Sequence, residues 1–90
     1  MSHTSREKAK LIARVRRIKG QLGGIERALE ADAECVEVLR QIASVRGAVS
    51  GLTVEVMEDH LREHVLAAST DKERQQGGEE MVEVIRAYMK

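Results

Sequence analysis

The chain contains no proline, no phenylalanine and no tryptophan, and Tyr88 is its single residue of the Phe, Tyr and Trp class. Without proline there are no proline-rich linkers, and the strongest helix breaker is missing. With Tyr88 as its sole member of that class there is no platform on which successive nucleic-acid bases could stack, and the core must come mainly from Leu, Ile, Val, Met and Ala. Cys35 is the only cysteine, so no intrachain disulfide can form. No apolar run approaches the length needed to span a membrane, and no segment has the pattern of a secretory signal, so a reducing cytoplasm is the expected location. The formal net charge is zero. That excludes a uniformly basic polyanion binder, but not a locally basic one.

What is present reads as helix. A chain rich in Ala, Leu, Val, Ile, Glu and Arg is expected to be all-α, with residues 1–90 forming a single domain. A domain of ninety residues has a thin core, and oligomerisation is a common route to stability at that size. The charge is divided unevenly: residues 1–30 hold eight basic side chains against three acidic, and residues 31–90 hold seven against twelve. A basic first segment suits a polyanion such as DNA.

Thr4 followed by Glu7 fits a capping box, and Leu11, Val15, Ile18, Leu22, Ile25 and Leu29 then alternate spacings of four and three. These predict a first helix over about residues 5–29. Asp32 is the expected cap of a long second helix, about 33–67, carrying the stripe Cys35, Leu39, Ile42, Val49, Val56 and His60. Thr70 with Glu73 offers another capping box for a third helix, which Gly77 and Gly78 are expected to interrupt before Met81, Val84, Ile85, Tyr88 and Met89.

Two histidines, His60 and His64, stand one helical turn apart and can clasp one ion. Cys35 lies on the same helical stripe, but 25 residues of helix separate it from His60 by roughly 37 Å. The two can share a metal only if a second copy of the helix runs antiparallel to the first. Pairing Cys35 with His60 centres the two-fold axis near Gly47 and Ala48, where Ser44, Gly47, Ala48, Ser50 and Gly51 would let two backbones approach. That close approach would justify glycines that each cost a helix about 1 kcal/mol. His3 adds an imidazole, and removal of Met1 would add the amine of Ser2. One sulfur with several nitrogens, and Glu63 as an optional oxygen, suits Ni(II) or Co(II) first and Zn(II) next, and fits Cu(I) poorly.

His60-Leu61-Arg62-Glu63-His64 also matches the H-x-x-E-H string of inverted zinc peptidases, with Glu63 as base. A small zinc hydrolase is the weakest of the readings, because ninety helical residues leave little room for a substrate cleft. On the first helix, Arg14, Arg16, Arg17 and Lys19 carry no acidic residue between them, and Arg46 on the second helix is positioned to join them. Such charges need only phosphates as partners, giving salt-sensitive binding without base stacking.

Over essentially its full length the sequence resembles the CsoR/RcnR family of bacterial transcriptional repressors. The residues that carry this likeness are Ser2-His3-Thr4, the run Arg14 to Gln21, Cys35, the stretch Gln41 to Ala48, and His60 with His64. The resemblance implies a three-helix protomer with a long central helix, an antiparallel dimer that assembles as a dimer of dimers, and operator DNA released when inducer binds. Within the family, His3, Cys35, His60 and His64 together are the pattern of the nickel/cobalt-responsive RcnR type. Copper sensors resemble it but have a cysteine where this chain has His64. The formaldehyde-responsive FrmR type keeps the matching cysteine and is the leading alternative, through Cys35 and the N-terminal amine. It typically has proline where this chain has Ser2 and an acidic residue where it has His64.

Overall fold

A computed structural model describes residues 7–89, and these form three α-helices and one π-helical turn, with no strand among them. Helix α1 spans Lys8–Glu30, α2 spans Cys35–Leu61, the π turn covers Arg62–Leu66, and α3 runs over Asp71–Tyr88. The described residues divide into two compact units, 7–53 and 54–89.

The start of α1 differs from expectation. Glu7 occupies the N-cap position and makes no side-chain cap bond, while Thr4 lies outside the described residues. The end of α1 also corrects the sequence reading. Asp32 adopts a left-handed backbone, with φ of 55°. Its N–H donates to the Leu29 carbonyl at 3.1 Å, and the N–H of Ala33 donates to the Ala28 carbonyl at 2.9 Å. This paired return of hydrogen bonds is a Schellman motif, and aspartate is among the few residues besides glycine that tolerate its left-handed position. Asp32 therefore terminates α1. The first turn of α2 instead closes on the carbonyl of Glu34, which accepts from Glu37 at 2.9 Å and Val38 at 3.1 Å.

Part of the patch of small residues on α2 meets side chains of α1 within the same chain, while a Cβ on Gly47 would meet nothing within 4 Å. Gln21 Nε2 donates to Ser44 Oγ at 3.2 Å, and Arg14, Arg17 and Ile18 share a niche with Gly47, Ala48 and Gly51. A Cβ on Gly51 would stand 3.1 Å from Arg14 Nη1, so the glycine makes room for that guanidinium.

In the unit 54–89, Thr70 caps α3 as expected. Its hydroxyl accepts from the Glu73 N–H at 3.1 Å, and the Glu73 carboxylate accepts from the Ser69 N–H at 3.3 Å. Gly77 and Gly78 do not interrupt α3, which is continuous through both. The second helix breaks earlier than expected: its α-helical geometry ends at Leu61, and Ala67 N–H reaches back five residues to the Arg62 carbonyl at 2.9 Å. Arg74 secures this end, donating from Nε to the Val65 carbonyl at 3.3 Å and from Nη2 to the Ala68 carbonyl at 3.2 Å.

Leu11 and Met81 are the only buried apolar side chains among the described residues, and neither is completely enclosed. Leu22, Leu29, Val36 and Leu39 are each more than half exposed, so much of the periodic stripe that defines α1 and α2 is uncovered in one chain.

Candidate functional site

His60 lies in the last turn of α2, and His64 sits inside the π turn that follows. Their imidazole rings lie 4.9 Å apart between centroids, inclined at 48°. The sequence expectation that the two share a face therefore holds, even though the turn between them is not a regular α-helix. His60 is the more enclosed, with 18% of its side chain exposed. Its Nε2 donates to the Gly77 carbonyl at 2.9 Å, and Glu80 Oε1 stands 3.8 Å from the same nitrogen. A carbonyl oxygen can only accept, so Nε2 must carry the proton. In a neutral ring Nδ1 is then the nitrogen that bears the lone pair, the state required of a metal ligand.

The two histidines open onto a groove of about 650 Å³ within the unit 54–89. Glu63 lies on the histidine side, and Glu73, Glu80 and Glu83 on α3 line the opposite side. Four carboxylates and two imidazoles make this a cation-attracting surface. Among the described residues, however, no three His, Cys, Asp or Glu side chains converge closely enough to hold a metal ion. Cys35 is exposed at the first position of α2, in the unit 7–53. Ser2 and His3 lie outside the described residues. Two imidazoles are an incomplete set for Ni(II), Co(II) or Zn(II), and the donor chemistry fits such an ion only if further ligands are supplied.

The basic residues of α1 fall on two flanks. Arg14, half-buried, and Arg17, exposed, line the niche beside Gly51, which measures about 280 Å³. Lys19 lies along a separate groove with Leu22, Ile25 and Leu29, and Arg16 and Arg46 are exposed.

Two residues of the groove, and one buried acid outside its lining, were not legible in the sequence. Gly77 reads there as a helix breaker, and Glu80 as one of many exposed carboxylates. Asp59 reads as a surface acid, but it is buried, with Oδ1 accepting from Arg62 Nη1 at 3.3 Å and no hydrogen-bond partner for Oδ2 among the described residues. A glycine pair inside an otherwise periodic helix, one heptad or so from the other apolar anchors, was the available signal for Gly77.

Comparison with known proteins adds a separate line of evidence. Residues 7–87 match the family model described as metal-sensitive transcriptional repressor. The chain is 57% identical over 91 aligned positions to an uncharacterized protein from the bioA 5′ region of Serratia marcescens, with both chains covered completely. It is 43% identical over 90 positions to the transcriptional repressor RcnR of Citrobacter koseri, again over the whole of both. Among solved structures it is similar to a variant of the formaldehyde-responsive regulator FrmR from Salmonella enterica serovar Typhimurium, in which one glutamate is replaced by histidine. That likeness has a TM-score of 0.84 at 42% identity and covers 96% of this chain and 98% of the other.

Proposed function

The chain belongs to the CsoR/RcnR family of metal-sensitive transcriptional repressors, and from that premise we propose that it represses a metal-efflux gene and releases the operator when Ni(II) or Co(II) binds. Family membership carries DNA binding, oligomerisation and metal sensing, and it sets aside the hydrolase reading of His60, Glu63 and His64, because these repressors are not enzymes. No helix among the described residues is long and apolar enough to cross a membrane.

The observation that carries the metal reading is the pairing of His60 and His64 on one groove, where no three donor side chains among the described residues converge closely enough to hold an ion. Completion from a second copy answers that deficit. In the proposed dimer, antiparallel α2 helices bring Cys35 of one subunit to His60 and His64 of another, and two dimers form the tetramer. His3 and the Ser2 amine add nitrogen ligands, and Glu63 is placed to add an oxygen. Nitrogen-rich ligation with one thiolate favours Ni(II) or Co(II), with Zn(II) as the next candidate.

In the inducer-free state, Arg14, Arg16, Arg17, Lys19 and Arg46 hold phosphates of the operator. Recruitment of Ser2 and His3 as ligands pulls on the segment leading into α1, which carries most of those charges. Coupling of this kind is typically worth about 1–3 kcal/mol, and it requires that the inducer bind the DNA-free state more tightly.

A second reading is supported by the exposed thiol of Cys35 and by the likeness to a formaldehyde-responsive regulator. In it the formaldehyde carbon bonds to the Cys35 sulfur and the Ser2 nitrogen, and its oxygen leaves as water. Fluorescence anisotropy of the reduced protein on DNA upstream of its own gene separates the two, with Ni(II), Co(II), Zn(II), Cu(I) and formaldehyde titrated singly. Release by nickel or cobalt that disappears in Cys35→Ala and His64→Ala supports the metal reading. Release by formaldehyde alone replaces it.

A further inference from the structure

We propose that Gly77 is the positioning residue for both imidazoles of the candidate centre, holding His60 through its carbonyl and His64 through its missing side chain. The proposal deepens the metal-sensing reading and rests on it for the roles of the two histidines.

Two contacts converge on this one residue. The first is the 2.9 Å hydrogen bond from His60 Nε2 to the Gly77 carbonyl, which fixes the ring's orientation and places its proton on Nε2. Nδ1 is thereby made the donor nitrogen. A ligand histidine commonly has its other ring N–H anchored in this way, and the anchor sets both tautomer and aim. The second contact is steric. A Cβ built on Gly77 would collide with the backbone carbonyl oxygen of His64 and would also meet the His64 carbonyl carbon at 2.8 Å and its Cβ at 3.0 Å. Main chain meets main chain here, so no flexible side-chain end can move aside.

The π turn explains why the chains come so close. Its hydrogen bond from Ala67 N–H to the Arg62 carbonyl spans five residues, so the turn holds one more residue than an α-turn would. The extra residue widens the main chain at His64, and the bare backbone of Gly77 receives it. Gly77 is buried, as expected of such a seat. Gly78 makes the contrast: a Cβ there meets nothing within 4 Å. Of two adjacent glycines in one helix, only the first is required by its surroundings.

The test uses the full chain labelled with ¹⁵N-histidine, comparing wild type with Gly77→Ala and Gly78→Ala. Long-range ¹H–¹⁵N spectra of the metal-free proteins report the His60 tautomer, and a Co(II) titration followed by its d–d absorption reports binding. Wild type and Gly78→Ala are expected to show the Nε2–H tautomer and equal Co(II) affinity. Gly77→Ala is expected to lose the tautomer preference and bind Co(II) about 10- to 100-fold more weakly, the range for removing an anchor behind a ligand. A His60 ring protonated on Nδ1 in wild type overturns the proposal. So does a Gly77→Ala protein that keeps both tautomer and affinity. If Gly77→Ala does not fold by circular dichroism, the wild-type tautomer alone decides. Wild type that shows the Nε2–H tautomer but binds no Co(II) refutes the metal reading while leaving the hold of Gly77 on His60 in place.

Discussion

Replacing Arg74 with alanine should loosen the π turn without disturbing the rest of the chain. The guanidinium donates to two carbonyls, Val65 and Ala68, at 3.3 and 3.2 Å, at a helix end where the Val65 carbonyl otherwise accepts a long 3.5 Å bond from the Ala68 N–H. Charge-assisted bonds of this kind are worth about 1.5–3 kcal/mol when enclosed. Arg74 is 44% exposed, so water competes for both carbonyls and about 1–2 kcal/mol for the pair is the appropriate expectation. Its ion pair with Asp71, although 2.6 Å long, adds little, because the Asp71 side chain is fully exposed. A local loss of about 1–2 kcal/mol raises the open population roughly 5- to 30-fold. Native-state hydrogen exchange followed by NMR reads this directly: the amides of Ala67 and Ala68, which close the turn, should exchange faster by that factor. The amide of Val38, at the start of α2, should not change. Arg74→Lys keeps the charge but not the planar fork, and should recover less than half of the protection. Unchanged exchange at Ala67, or equal acceleration at Val38, would refute the reasoning.

Thr70→Ala removes the hydroxyl that accepts from the Glu73 N–H and should cost about 1 kcal/mol, or about 4–8 °C in Tm at fixed protomer concentration, read by calorimetry. Cys35→Ala and His64→Ala should abolish nickel- and cobalt-induced release of DNA while leaving inducer-free affinity within about twofold, as measured by anisotropy; a shared loss of DNA binding would mean that these residues serve the fold. Arg17→Ala should weaken DNA binding across operator variants nearly uniformly and lower the slope of log K against log salt by about one for each phosphate left without its cation. Gly78→Ala, placed in open space within α3, should stabilise the protein by up to about 1 kcal/mol in chemical denaturation, because alanine is the better helix former.

The three helices were legible because apolar residues at alternating spacings of three and four leave little choice of secondary structure. So was the Thr70–Glu73 cap, whose chemistry is confined to four consecutive residues. The proximity of His60 and His64 was legible for the same reason. What the sequence hid lies in tertiary approach and backbone geometry. Asp32 is a good N-cap residue and also a tolerable left-handed one, and the hydrogen bonds returning from Ala33 and Asp32 to α1 decide between the two roles. The small residues around Gly47 read equally as a seat for a second helix and for α1; Arg14 reaches Gly51 and Gln21 reaches Ser44 from within the chain, while a Cβ on Gly47 would meet nothing within 4 Å. Gly77 resembles a breaker until the π turn is seen to lean on it. A π turn has no composition of its own, because it is one extra residue in a helix whose side chains remain ordinary helix formers.

The uncovered apolar stripe also bears on how much protein a cell must make. With Leu11 and Met81 as the buried apolar side chains among the described residues, one chain has little core to set against the entropy of ordering it, and the fold is expected to depend on association. Dilution should then produce unfolded chains in place of folded monomers, with the denaturation midpoint climbing as protein concentration rises. Below a threshold of synthesis the chains would be open to proteolysis, and above it they would persist as assembled repressor. The exposed leucines and valines of α1 and α2 would thus make the supply of active regulator a steeper-than-linear function of its own expression.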